Sequence, residues 1–447
     1  MAVFEGFSNI GKVPELRRRI VFTLAIVAIY RLGVFISTPG VDRTAMKALV
    51  RGGQSGLLGL FNLFSGGAVE NVSIFALGIM PYISSSIIMQ LLGMVSKQVE
   101  EMRKEGEAGR RKIEQYTRYG TIVLSAFQGF GMAMWLEGQS SGADMGGGRF
   151  GDIVAHPGWG FRLMTMVTLT TGTALIMWLG EQATERGIGN GISIIIFAGI
   201  VSDIPGKIGA YWNQRAGEIE PLTVAILLAV LAISIATIVF FERAQRRIPI
   251  QYARRQVGRR VYGGQSAHLP LKVNTAGTIP PIFASSLLMF PATMANAGLP
   301  GAEYLQSIIN RGDWVFNTGY ALLIVFFCYF YTNVTFQPVD VAENLKKQQA
   351  NIPGIRPGKQ TADYIHRVIQ RITFGGAMYV AAVCVLPSIV GNMLRVPFGF
   401  GGTSLMIVVG VALDTVNQLE AHLITRNYEG LTGPGAGRIR GRRLPEG

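Results

Sequence analysis

The chain has 447 residues, 49% of them hydrophobic and only 15% charged, and a mean hydropathy of +0.34. Charged residues make up about a quarter of an ordinary soluble protein, so the composition excludes one. The formal net charge of +14 must then sit in connecting segments, where it can meet anionic lipid head groups, acidic protein surfaces or RNA.

Apolar stretches of about 20 residues, enough to cross a roughly 30 Å hydrocarbon core, recur along the chain. Ten spans are expected, at 18–38, 73–95, 117–137, 160–180, 190–204, 221–241, 273–292, 314–336, 370–390 and 403–423, the fifth of them short. Arg17, Arg18 and Arg19 precede a full-length first span with no small-residue cleavage site, so no cleavable signal peptide is expected. Before the second span lies a shorter apolar segment, Leu57 to Gly67, which includes Leu58, Leu60, Phe61, Leu63 and Phe64. It is too short to cross, and reads as a re-entrant or interfacial helix or as an outer loop lying on the bilayer. Gly52, Gly53, Gly56, Gly66 and Gly67 flank it and let it hinge.

Lysine and arginine crowd onto one side of this topology, which the positive-inside rule makes cytoplasmic, with both termini on that side. Three segments there are large. Residues 96–118 carry Lys97, Arg103, Lys104, Arg110, Arg111 and Lys112, a set that orientation alone explains as well as partner binding does. Residues 242–272 interleave Tyr252, Val257, Val261 and Tyr262 with Arg254, Arg255, Arg259 and Arg260, a half-apolar pattern suited to a strand or hairpin that docks a partner. In 337–369, Pro353, Gly354, Pro357 and Gly358 fix a turn that displays Arg356. The tail, 425–447, ends in a glycine-rich run followed by Arg438, Arg440, Arg442 and Arg443 and reads as flexible and basic.

Two of the spans repeat one another. Gly78, Pro81, Ile83 and Ser86 align without gaps on Gly277, Pro280, Ile282 and Ser285. Five spans precede the external connector 205–220 and five follow it, so the second half, 221–424, is inverted relative to the first, 1–204. Inverted repeats with glycine- and proline-interrupted helices mark the pathway of proteins that move something through a membrane. Midplane charge is scarce: Arg31 lies toward the outer end of the first span and Asp414 in the inner half of the last. In its place stand Ser84, Ser85, Ser86, Gln128, Asn274, Thr275, Thr278, Ser285 and Ser286, small or weakly polar groups that serve as packing glue and, concentrated on spans two and seven, suit a separable interface.

No catalytic or metal-binding constellation is legible. His156, His268, His366 and His422 are scattered, no phosphate-binding glycine loop is present, and Cys328 and Cys384 fall inside spans as buried free thiols. Neither enzymatic activity nor a cofactor is expected, so energy for transport must come from outside the chain.

Several motifs in order resemble the SecY family, the pore subunits of the bacterial protein-conducting channel. They are Gly78 to Gln90, Glu185 to Ser193, Gln256 to Val273, Gly277 to Thr293, Pro353 to Gly358 and Gly401 to Ser404, and the likeness covers nearly the whole chain. The resemblance implies an all-α polytopic protein whose two inverted halves clasp around an hourglass pore. It implies a waist of Ile83, Ile87, Ile196, Ile282 and Ile407, a plug at about 57–70, and a lateral gate between spans two and seven that includes Ser84, Ser85, Gln90, Gln128, Asn274, Ser285 and Ser286. It also implies motor or ribosome binding through Arg254, Arg255, Arg259, Arg260 and Arg356. Implied partners are SecE- and SecG-type subunits, the SecA ATPase, the ribosome, signal peptides and nascent chains, anionic lipids and the YidC insertase, in the bacterial cytoplasmic membrane. An aliphatic constriction suits that task, because ions lose hydration there without replacement ligands while the side chains deform around a passing polypeptide. An inverted-repeat secondary transporter of small solutes is the alternative, and would favour a polar midplane niche. An intramembrane protease is a third class, for which no facing nucleophile, acid pair or metal set can be assembled.

Overall fold

The computed structural model describes residues 14–52, 62, 65–141, 153–214, 221–252, 255–257, 260–262, 266–296, 313–393 and 402–432. The chain is predominantly helical, and each expected span has a helix. These are α1 (Pro14–Val34), α3 (Met80–Val95), α5 (Glu107–Ser141), α6 (Trp159–Arg186), α7 (Gly191–Gln214), α8 (Pro221–Arg243), α9 (Ile279–Asn296), α10 (Asp313–Thr335), α12 (Lys359–Met393) and α13 (Gly402–Thr432). Shorter helices α2 (Arg43–Gly52), α4 (Lys97–Lys104) and α11 (Pro338–Lys347) lie between them. Within the described residues, five helices are long and apolar enough to cross a membrane on length and composition alone, and α3, α7 and α9 contain shorter apolar stretches. In α1 the arginines dilute the apolar run.

The second and seventh spans are shorter than the hydropathy suggests. Helix begins only at Met80 and at Ile279, and the residues before each are turns. The cause is common to both repeats. Gly78 and Gly277 take left-handed φ values of 56° and 63°, and Pro81 and Pro280 sit in the first helical turn, where the missing N–H is tolerated. The Gly78 amide donates to the Phe75 carbonyl at 2.8 Å. At the aligned place the Gly277 amide donates to Asn274 Oδ1 at 3.1 Å, so a side chain replaces a backbone acceptor. At the connector, α7 continues through Pro205 to Gln214, so the described part of 205–220 is helical. Likewise α13 extends to Thr432, beyond the expected start of the tail.

The more extensive helix contacts fall into two groups. In one, α1 packs on α6 and α7, α3 on α5, and α5 on α6; in the other, α9 packs on α10, α10 on α12, and α12 and α13 on α8. Two seams join the groups: α9 against α3 and α5, and α7 against α13. One hydrophobic cluster draws on both groups, from Ile26 and Tyr30 through Ile83 and Ile196 to Ile282 and Ile407. A second cluster, including Met46, Val69, Leu136, Ile153 and Phe161, packs α2 and adjoining loop residues over the end of the first group.

The basic end adds a small sheet to the helical frame. Strand β1 (Gln245–Tyr252) pairs antiparallel with β4 (Ser266–Lys272), from Gln245 opposite Lys272 to Gln251 opposite Ser266. Between them β2 (Arg255–Val257) and β3 (Arg260–Tyr262) form their own two-stranded ribbon. The third strand of the main sheet comes from the other basic segment: β5 (Ala350–Asn351) pairs Asn351 with Gln251 and Ala350 with Tyr252. Ile248, Ile250, Leu271, Leu345, Ile352, Ile365 and Ile369 pack into one core beneath it.

The left-handed turn before α9 gives a clean test. A Cβ on Gly277 would meet no atom within 4 Å, so the cost of Gly277→Ala is purely conformational. It should lower stability in detergent by about 1–2 kcal/mol. Gly319→Ala, equally open but inside α10, should raise it by about 0.5–1 kcal/mol. Thermal unfolding of the two variants checks the opposite signs.

Candidate functional site

The five candidate waist isoleucines come from α3, α7, α9 and α13, and all belong to the cluster that spans both helix groups. Their relative exposures are 5% for Ile83, 6% for Ile87, 2% for Ile196, 7% for Ile282 and 0% for Ile407. A residue on an outer helix face would be open, as Val123 and Ile233 are. Hydrogen bonds inside each group hold the helices that carry them. The Tyr320 hydroxyl of α10 pairs with Thr403 Oγ1 at 2.6 Å and with the Pro281 carbonyl at 3.3 Å, joining the starts of α13 and α9. Ser85 Oγ donates to the Thr117 carbonyl at 2.8 Å, tying α3 to α5.

The candidate gate residues divide. Ser286 Oγ reaches Met80 Sδ at 3.5 Å across the α3–α9 seam, while also donating to the Ile282 carbonyl of its own helix. Ser285 bonds back to the same carbonyl. Ser84 is half-buried on α3. Gln90 Nε2 donates to Ser86 Oγ at 3.2 Å, but Gln90 Oε1 and Gln128 Oε1 are buried without a hydrogen-bond partner. Asn274 turns away from the seam: its Nδ2 donates to Glu242 Oε1 at 2.6 Å and to the Gly277 carbonyl at 3.1 Å, within its own group.

At the basic end, the 96–118 segment satisfies most of its charge locally. Lys104 pairs with Glu100 at 2.7 Å, Lys112 with Glu105 at 3.1 Å, Arg110 with Glu114 at 3.2 Å and Arg111 with Glu107 at 3.5 Å. The Glu100 carboxylate accordingly holds the Lys104 ammonium above its ordinary value. Arg356 is different: it is exposed on the turn between β5 and α12 and pairs with no carboxylate among the described residues. Its own carbonyl accepts from Thr361 Oγ1 at 2.9 Å, and Gly354 and Gly358 on either side take left-handed φ. Arg255 and Arg260 lie in β2 and β3, beside the same sheet. Arg254 and Arg259 fall outside the described residues, as do Leu58, Leu60, Phe61, Leu63 and Phe64.

Sequence reasoning missed one link. Arg103 Nη2 of α4 donates to the Val334 carbonyl at 3.1 Å, one of the last acceptors of α10, and so joins the two groups at the basic end. It looked like one more basic loop residue, and no sequence spacing brings 103 to 334. Among the described residues, no group of three or more His, Cys, Asp or Glu side chains is placed to hold a metal.

These features define a polytopic helical membrane protein with an aliphatic centre between two helix groups and a basic, sheet-bearing end. The SecY family model matches residues 73–416. The chain is 49% identical over 426 residues to the protein translocase subunit SecY of Escherichia coli (strain K12), covering 94% of each. It is 45% identical over 421 residues to the subunit of that name from Rickettsia conorii, covering 93% of this chain and 96% of the relative. Among solved structures, one described as a protein conducting channel superposes with a TM-score of 0.65 at 16% identity, covering 93% of this chain and 95% of the other. A SecY structure concerned with its plug domain gives a TM-score of 0.63 at 17% identity and the same coverage. Sec61 in the canine ribosome-channel complex gives 0.61 at 15% identity, again with that coverage. The chain belongs to the SecY family.

The two unpartnered amide oxygens make the seam testable. Gln128→Leu removes one of them, and is expected to raise the stability of the resting protein by about 1–2 kcal/mol. Gln128→Glu places a carboxylate there and should lower it. Thermal unfolding in detergent reads both.

Proposed function

We infer that the chain is the pore-forming subunit of a protein translocase, passing unfolded preproteins across the bacterial cytoplasmic membrane and releasing apolar segments sideways into it. Family membership supports this directly, and the relatives give no support to a small-solute transporter. The observation that carries the mechanism is that five isoleucines, Ile83, Ile87, Ile196, Ile282 and Ile407, are all buried in one hydrophobic cluster drawn from both helix groups. Such a constriction blocks ions by dewetting and yields to a polypeptide of any sequence. Lateral release needs no reacting group, because a 20-residue apolar helix with its backbone bonded internally is more stable in lipid than in water.

In this reading 1–204 and 221–424 are the two halves, joined by 205–220, and 57–70 is the plug. The α3–α9 seam is the lateral gate. The basic end faces the cytoplasm with both termini, and its sheet and the Arg356 turn receive a SecA-type motor or the ribosome. RNA contact there would carry the strong salt dependence of phosphate neutralisation. The chain needs an external driver and acts as a conduit rather than an enzyme. The α7–α13 seam contains an apolar cavity of about 550 Å³ lined by Ile20, Leu24, Ile194, Phe197, Val411 and Val416. Such a cavity is large enough to take apolar side chains from a membrane helix of a SecE-type subunit lying against α1, α7 and α13 and bracing the two halves. SecG- and YidC-type partners and anionic lipids complete the expected assembly.

Photocrosslinking from positions 83 and 282 to a preprotein arrested in transit should give adducts that depend on the motor or ribosome and move along the substrate as it advances. An engaged chain that crosslinks at neither position removes the ring. Ile282→Asn or Ile407→Asn should raise resting ion leak and admit preproteins with defective signal sequences. Arg356→Glu should slow motor- or ribosome-driven transport while the protein still inserts, and a normal rate would take Arg356 off the partner surface.

A further inference from the structure

Arg31 is one of the few charges within a span, and an ionisable group at that depth calls for a named partner. Its Nη1 donates to the Gly66 carbonyl at 2.9 Å, and the guanidinium lies 5.7 Å from the centre of the Phe35 ring. The adjacent Tyr30 is 1% exposed, and its hydroxyl donates to the Ser65 carbonyl at 2.9 Å. The Tyr30 ring stacks on Phe75 with centroids 5.9 Å apart, which fixes the direction of that hydroxyl. Two neighbouring side chains of α1 therefore hold two consecutive carbonyls of the segment that precedes α3. On the other side the segment meets α7. Gly66 has φ +62°, and a Cβ there would stand 2.6 Å from Gly199 Cα, so only glycine allows the approach. The segment also closes on itself: the Asn62 carbonyl accepts from the Gly67 amide at 2.9 Å and Ser65 Oγ at 3.2 Å, and Asn62 Oδ1 accepts from the Glu70 amide at 3.0 Å.

We propose that Tyr30 and Arg31 are positioning residues of the resting channel, a clasp on the Ser65 and Gly66 carbonyls that holds the root of the plug segment against α1 and α7 and lets go when the segment leaves. The proposal rests on the reading of 57–70 as the plug. The chemistry suits a reversible hold. Water rehydrates both carbonyls once the segment moves outward, so release replaces hydrogen bonds rather than abolishing them. Because α1 and α7 belong to one helix group, the root stays with that group when α9 moves away at the gate.

The test uses the complete channel complex in proteoliposomes, carrying Ser65→Cys, with two readouts: resting ion conductance and the rate of labelling by a membrane-impermeant maleimide from the outer side. Tyr30→Phe with Arg31→Gln keeps ring and bulk but removes the hydroxyl and the charge. It should raise both readouts about fiftyfold or more, since it removes one neutral hydrogen bond worth about fivefold and one charge-assisted bond worth about tenfold or more. Arg31→Lys should restore most of the resting behaviour. Arg162→Gln, which breaks the 2.7 Å pair with Glu137 elsewhere in the same helix group, should leave both readouts unchanged. An unchanged double variant, or an Arg162→Gln variant that leaks as much, overturns the clasp. If the double variant does not insert, Tyr30→Phe alone should give a several-fold rise, and no rise overturns the proposal. Deletion of 57–64 separates the two readings. A leaking deletion beside a tight double variant sinks the clasp alone, whereas a tight deletion sinks the plug reading and the clasp with it.

Discussion

Apolar packing without strong hydrogen bonding across the α3–α9 seam is the constraint on which the rest of the molecule depends. Apart from the Arg103 bond at the basic end, the strong polar links named above stay within one helix group: Ser85 to Thr117, Tyr320 to Thr403 and Pro281, Asn274 to Glu242. Across the seam the described residues offer the Ser286 contact to a methionine sulfur and the Arg103 bond at the basic end. In water such a seam would be locked by the hydrophobic effect. In a bilayer the surrounding tails are as apolar as the side chains, so parting the helices sacrifices packing but exposes nothing to an unfavourable solvent. Contacts of this kind suit the proposed role of the seam as a lateral gate.

The same logic explains why the polar groups near the seam are incompletely satisfied. A buried amide oxygen with no partner costs about 1–3 kcal/mol, and both Gln90 and Gln128 carry one. That cost falls on this arrangement, in which α9 packs against α3 and α5. This arrangement is thus held by close packing and a few discrete links, against the cost of two unpartnered amide oxygens among the described residues.

At the basic end, one continuous helix couples surface to core. Ile365 and Ile369 of α12 lie in the cluster beneath the sheet, while Ala377, Val380 and Cys384 of the same helix lie in the central cluster. Arg356 sits on the turn that leads into that helix, and β5 stitches the turn to the β1–β4 hairpin. A partner that presses on the turn therefore acts on an element packed beside α9, α10 and α13. Local pairing neutralises the other basic segment, α4 and the start of α5, and leaves Arg103 as its link to the far group.

Hydropathy was enough to find a helix at each expected span, because a helix that crosses lipid must be predominantly apolar. The repeat was legible from Gly78 and Gly277 with their prolines, since a left-handed turn and a missing N–H admit few other residues. Helix starts in both repeats lie several residues beyond the expected starts of the spans: Ser73 to Ile79 is apolar enough to read as span and Val273 to Thr278 adjoins an apolar run, but the backbone of both turns. The lone Arg31 could be noticed and not explained, because its acceptor is a backbone carbonyl, which leaves no mark on composition. By itself the sequence determined the class, the span order, the internal repeat and the aliphatic residues suited to a waist, all of which are properties of side-chain type and spacing. Tertiary structure decided which helices face one another across a seam, that Asn274 bonds Glu242 and its own turn at Gly277, that two basic segments share one sheet, and that Tyr30, Arg31 and Arg103 seek carbonyls far along the chain. Those outcomes depend on distance in space between groups that any residue can supply, and no local pattern encodes them.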